Sequence, residues 1–366
     1  MRFAITLLAL ALCACSGPPQ NVVVHDSDAT PALLSEWGLL NTSGGTLNIH
    51  DESVPYELHT ALFSDYALKL RTVWMPDGAA AEYRDESAFE FPVGTIISKT
   101  FLYEKHQDWG TDTAVYKAVD AVTSSLEDLQ PSLDDYRLVE TRLLVRYEDG
   151  WRGFPYVWNA EQTDATLEIA GDIQQLALRG DGINETINYL VPDVNQCAGC
   201  HTPDHSAGDL RPIGPQAWQL NRPYAHWGDG ESQLSHWQAN NMLSGAPEAP
   251  PQVGDSLQER TKAYLDANCA HCHNPKGAAD TSALHLNIES PVDRHFGVCK
   301  SPVAVGRGSG DRPFDIVPGK PGESIMLYRM QHSDPAIAMP ELGRSTVHRA
   351  GMELVQAWIS GLSGTC

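Results

Sequence analysis

Two pentapeptides of one form stand out in the sequence, Cys197-Ala-Gly-Cys200-His201 and Cys269-Ala-His-Cys272-His273. Two thiols three positions apart can add across the two vinyl groups of a single iron porphyrin. The residue that follows then lies beneath the metal and offers it an imidazole nitrogen. The spacing therefore predicts two covalently bound haem c groups, held by Cys197 and Cys200 and by Cys269 and Cys272, with His201 and His273 as axial ligands. A four-cysteine zinc site is the alternative for the same thiols. It explains neither the distance between the pairs along the chain nor the histidine that closes each. Exported thiols without haem would also tend to oxidise.

A thioether opposite the histidine would stabilise reduced iron and give an electron-transfer centre. Met242, Met326, Met330, Met339 and Met352 follow the first motif. Met339 is followed by Pro340 in the run Ala336-Ile337-Ala338-Met339-Pro340-Glu341-Leu342-Gly343. A Met-Pro loop between two helices resembles the distal loop of class I cytochromes c, so Met339 is the predicted distal ligand of the second haem. Met326 and Met330, four apart after Pro321-Gly322, read as core packing, as does Met352 beside Leu354, Val355, Trp358, Ile359 and Leu362. For the first haem, Met242 is the methionine between the motifs and the default distal ligand. His205, His226, His236 and a five-coordinate iron stay open as alternatives, and an open site would favour catalysis over transfer.

The first residues read as an address. Met1-Arg2 is followed by an apolar stretch from Phe3 to Ala14, broken by Thr6, which suits a signal peptide and is too short for a membrane span. Leu12-Cys13-Ala14-Cys15-Ser16 resembles a bacterial lipoprotein cleavage site, with Cys15 lipidated. Ser16 after the cysteine resembles the outer-membrane sorting pattern. The expectation is a signal over 1–14, a tether over 15–30, and a protein lipid-anchored on the periplasmic side of an envelope membrane. Simple secretion into the periplasm is the alternative. Cys299 and Cys366 are left over. In an oxidising compartment they are expected to pair, against the alternative of two free thiols.

These residues need elements to position them. The 366 residues suffice for two or three domains. With 25 Lys+Arg against 47 Asp+Glu the net charge is −22, which argues against nucleic acid and against anionic lipid head groups. It favours a redox partner with a basic docking face. An apolar content of 42% is that of a globular chain. From 31 to 185, apolar runs alternate with turns. In Arg137–Tyr147 the period is two, with Val139, Thr141, Leu143, Val145 and Tyr147 on one face and Glu140, Arg142, Leu144 and Arg146 on a face expected to be wet. Glu148-Asp149-Gly150 then turns the chain into another strand. An all-β, sandwich-like domain is predicted there, its aromatics serving as core. A first haem region over 186–250 and a second haem domain over 251–366 should follow. Ser256-Leu257-Gln258-Glu259 is a capping box that opens a helix through Leu265. Helix, motif, loop, helix, Met-Pro loop and final helix is the class I cytochrome c order. The expected fold is thus multidomain, an all-β domain followed by mainly α, loop-rich haem domains.

Further runs point to a family. Pro55-Tyr56-Glu57-Leu58, Leu62-Phe63-Ser64-Asp65-Tyr66-Ala67, Phe91-Pro92-Val93-Gly94-Thr95, Glu140-Thr141-Arg142-Leu143-Leu144, Tyr156-Val157-Trp158-Asn159, Pro212-Ile213-Gly214-Pro215, Leu220-Asn221-Arg222, Asp266 to His273 and Met339 to Arg344 are ordered as in a family of exported bacterial di-haem c-type cytochromes. The chain resembles it over about 33–366. The resemblance implies two covalent haems on His201 and His273 and a structural role for Cys299 and Cys366; it implies no substrate. Electron transfer between periplasmic or membrane partners is the leading expectation. A di-haem peroxidase-like enzyme, with His226, His236 or Glu231 near an open iron, is an alternative. Another is a binding protein whose β-rich domain recognises a partner or glycan. No nucleophile motif supports a hydrolase, and Gly306-Arg307-Gly308-Ser309-Gly310 lacks the ending of a phosphate loop.

Overall fold

The computed structural model describes residues 21–366 except 109, 111–114, 123–125, 127, 228–229 and 304. A small ribbon pairs β1 (Leu40–Asn41) with β2 (Asn48–Ile49). Next come β3 (Val54–Pro55), β4 (Leu68–Trp74), β5 (Ala81–Glu82), β6 (Ile96–Glu104) and β7 (Val115–Lys117). The long strands β8 (Tyr136–Tyr147) and β9 (Gly150–Trp158) form a hairpin, followed by β10 (Ala165–Leu167), β11 (Asp172–Gly180) and β12 (Ile183–Val191). Six strands make one antiparallel sheet in the order β10-β9-β8-β6-β4-β3, and three make a second in the order β12-β11-β7.

The alternation of β4, β6, β8 and β9 gives the large sheet two unlike faces. One carries Leu70, Ile96, Leu102, Leu143, Val145, Phe154, Tyr156 and Trp158 against Trp37 and Leu47. The other is covered in two patches. Phe101, Tyr103 and Val139 pack under Leu176, Leu178, Ile187 and Tyr189 of the smaller sheet. Val73, Ile97 and Trp151 pack under Ala217, Leu220, Leu234 and Trp237, which come from the segment after the first cysteine motif. That segment holds α1 (Val194–His201), α2 (Ala217–Leu220), α3 (Gln233–Ala239) and β13 (Leu243–Ser244), the last pairing parallel with β5. The chain ends with α4 (Leu257–Leu265), α5 (Ile325–Met330) and α6 (Arg349–Gly361), whose core joins Tyr264, Leu265, Phe296, Leu327, Val355 and Trp358.

Three expectations are corrected. The second half is not mainly α. Among the described residues there are six α-helices, the longest of 13 residues, and the chain as a whole is β-rich. The reason is local: only α4 and α6 run beyond two turns between 250 and the C-terminus, and the intervening Gly- and Pro-rich stretches close their hydrogen bonds in turns and short 3-10 segments. The expected break at 185/186 falls inside β12. Residues 217–243 build no core of their own; they complete the face of the large sheet. Finally, the face of β8 expected to be wet is covered. Glu140 is 0% exposed, and its carboxylate accepts from Arg142 Nε at 2.8 Å, Arg142 Nη2 at 2.6 Å and the Tyr189 hydroxyl at 2.6 Å.

Candidate functional site

Strand β12 delivers the first motif directly into α1. Asp193 caps this helix, its carboxylate accepting from the amides of Asn195 and Gln196. The helix lies against β9, where Gly153 stands next to Cys197. The second motif continues α4 through a π-turn over Asp266–Ala270. The expected capping box is present, with Ser256 Oγ accepting from the Glu259 amide and the Glu259 carboxylate from the Ser256 amide.

The two motifs meet. Cys272 Sγ lies 3.5 Å from the Gly199 carbonyl. Two neighbouring cavities flank this meeting point, and Cys200 and Cys269 line both. The larger, with about 1940 Å³ of atom-free space partly open to solvent, is lined by Cys197, Cys200, His201, Leu144, Phe154 and Leu190 among others. The other, of about 1380 Å³, is lined by Cys269, Cys272, His273, Leu265, Leu286 and Ile325 among others.

Both imidazoles are oriented. His201 Nδ1 lies 2.9 Å from the Arg211 carbonyl. A carbonyl only accepts, so Nδ1 carries the proton and Nε2 keeps its lone pair. His273 Nδ1 lies 3.1 Å from Ser282 Oγ, whose own proton goes to the Ala279 carbonyl at 2.6 Å. Ser282 must therefore accept, which fixes the same tautomer on His273. Burial holds both histidines down to about 4, so both are neutral donors at neutral pH. Burial also pushes the Cys269 thiol up to about 12.

No family model, characterised protein or solved structure matches the chain. The geometry of the residues therefore carries the reading alone. Among the described residues no three His, Cys, Asp or Glu side chains converge as a bare metal ion would need. Each motif does offer two thiols, an oriented imidazole and an apolar cavity, the set that covalent haem requires. The donor sets fit two haem groups.

Met339 lines both cavities. Its loop, between α5 and α6, is held by two arginines. Arg344 Nη2 donates to the Met339 and His332 carbonyls, each at 2.8 Å, and Arg329 Nε to the Ile337 carbonyl at 2.8 Å. Met330, expected as plain core, also lines both cavities, and Met326 lines the second. The signal for them was present in their spacing on one helix face. Met242 is placed elsewhere: it packs beside Trp237 and Ala81, its carbonyl accepting from the Ala81 amide, and it does not line the cavity at Cys197. Of the histidine alternatives, His236 stacks on Trp227 with ring centroids 4.2 Å apart, beside Glu231 at 3.8 Å, and His226 rests on Tyr224. The described lining of the two haem cavities contains none of His205, His226 and His236.

Sequence reasoning missed the cationic floor of the first cavity. Arg71 on β4, Lys99 on β6 and Arg142 on β8 are direct cross-strand partners. All three line the cavity. Burial, then the charges of Arg71 and Arg142, push the Lys99 ammonium well down. A cation in the middle of each of three apolar strands was the available signal.

Cys299 and Cys366 stand bonded, with an S–S distance of 2.09 Å, tying the last residue back across a separation of 67. Cys13 and Cys15 lie outside the described residues. No helix among the described residues is long and apolar enough to cross a membrane.

Proposed function

We propose that the protein is a di-haem c-type cytochrome that passes electrons between partners on the periplasmic side of a bacterial envelope, and that it belongs with the exported di-haem cytochromes its sequence resembles. A bound haem supplies an iron that alternates between two oxidation states by one electron. The chain's own residues do the rest. Cys197, Cys200, Cys269 and Cys272 hold the two groups. His201 and His273 present Nε2 to them. Leu144, Phe154, Leu265 and Leu286 give the cavities apolar walls. The single observation that carries the reading is the matched pair of histidines, each with Nδ1 committed to a fixed acceptor and Nε2 left for a metal. The lining of both cavities by Cys200 and Cys269, with Cys272 Sγ at 3.5 Å from the Gly199 carbonyl, supports passage between the two groups within the chain. The net charge of −22 supports a partner with a basic docking face and salt-dependent association. Lipidation of Cys15 would keep the protein at the membrane through the lipid alone.

The test is the pyridine haemochrome of the mature protein made in a host that matures c-type cytochromes. Two haem c per chain are expected, one after Cys197→Ala with Cys200→Ala, and one after Cys269→Ala with Cys272→Ala. A colourless wild-type protein would refute the reading.

A further inference from the structure

Three cations in a row across neighbouring strands need an explanation. Like charges directly opposite one another destabilise a sheet, and cations withdrawn from water cost more still unless paired. Here Arg71 pairs with Lys99, and Lys99 with Arg142, in strict register. The sequence keeps them where Thr or Leu would fit the pattern of the strands.

The acids in reach do not answer all three. Glu140 is taken by Arg142, with two hydrogen bonds. Glu57 attracts Arg71, but its ion pair, at 3.8 Å, is with Arg222. Asp65 accepts from the amides of Ser345 and Thr346. Lys99 faces the Phe101 ring at 4.8 Å, and among the described residues no carboxylate stands within ion-pair distance of it. Arg71 is 5% exposed, and its Nη2 is buried with no hydrogen-bond partner. Both side chains line the cavity that also holds Cys197, Cys200 and His201. The row lies between the two apolar patches that cover this face of the sheet, so it is floor, not rim.

We propose that Arg71 and Lys99 bind the carboxylates of the haem attached at Cys197 and Cys200. The spacing suits it. Arg142 lies on the strand paired to β9, beside Cys197; Arg71 lies two strand spacings further, about 10 Å away, roughly the width of a porphyrin. A ring held by Cys197 and Cys200 would have its carboxylates within reach of Arg71 and Lys99. This inference rests on the functional reading above and gives the β-rich half of the chain a direct part in setting one haem's potential. Cations beside the carboxylates favour the electron-rich, reduced state.

The experiment is a redox titration of the full di-haem protein with Arg71→Gln, Arg71→Lys and Lys99→Met. Arg71→Gln and Lys99→Met should each lower one of the two midpoint potentials more than the other, and Arg71→Lys should leave both near wild type. Lys99 is less deeply buried than Arg71, so its variant tests the proposal independently if loss of Arg71 proves too disruptive. Unchanged midpoints in Lys99→Met together with any folded Arg71→Gln would overturn the proposal while leaving the haem count intact. The same shared chemistry would also suit a free small anion. Titration of the wild type with formate and with nitrite separates the two sources: no saturable spectral change is expected, and one that disappears in Arg71→Gln or Lys99→Met would overturn the assignment to the haem carboxylates. A protein without haem would fail the earlier test instead.

Discussion

Replacement of Glu140 by alanine separates a covered sheet face from a wet one. On a wet face the Glu140–Arg142 pair would be a surface ion pair, worth about 0–1 kcal/mol. The carboxylate is instead fully buried and accepts three hydrogen bonds, two from Arg142 and one from Tyr189. Its removal leaves the Arg142 guanidinium, 30% exposed along its side chain, beside Lys99 with no countercharge, and strands the Tyr189 hydroxyl. Breaking a buried pair in this way costs about 3–5 kcal/mol. The partial exposure of Arg142 places the expectation at the lower end, about 3 kcal/mol. Guanidinium unfolding of the haem-loaded protein, followed by tryptophan fluorescence, measures it. Glu140→Ala with Arg142→Met should recover a large part of the loss, because the second change removes the uncompensated charge. A single-variant loss under about 1 kcal/mol would refute the burial argument and return the face of β8 to solvent.

Substituting Met339 with alanine should remove the thioether band of one haem and raise its reactivity with added ligands, whereas Met242→Leu should leave the visible spectrum unchanged; the absorption spectra decide both. Converting Cys299 and Cys366 to serine opens a loop with a separation of 67 residues and should lower stability by about 4 kcal/mol, read from the denaturation midpoint under non-reducing conditions. Burial holds His348 down to about 4, against about 6.5 in the unfolded chain. The unfolded state then binds the extra proton first. Stability is therefore full above about 6.5 and is lost as pH falls toward 4, by about 3 kcal/mol for this group. His348→Gln should flatten that part of the stability–pH profile.

Local patterns were more legible in the sequence than the architecture. The strand over Val139–Tyr147, its turn at Glu148–Gly150 and the Ser256 capping box are local patterns, set by neighbours a few residues away, and they are found where the sequence places them. The motif cysteines meet their histidines for the same reason. The domain division was not local. Ala217, Leu234 and Trp237 fall in the segment expected to form a separate first haem region, yet their partners are Val73, Ile97 and Trp151, far back in the chain. Glu140 and Arg142 looked solvent-facing because alternation shows only that two faces differ. What covers the second face here is another sheet and the first-motif segment. Met242 lay at the right sequence distance from His201, but proximity along the chain says nothing about which side of a cavity a residue reaches.

The meeting of the two motifs, with Cys272 Sγ 3.5 Å from the Gly199 carbonyl, has a thermodynamic corollary. Because Cys200 and Cys269 line both cavities, two haems held there would lie close together. Charge gained by one is felt by the other through a medium of low polarisability. The two reductions then belong to the pair, and a titration should resolve apparent steps that neither centre would show in isolation. Two haems so placed would hold their electrons as a single coupled store.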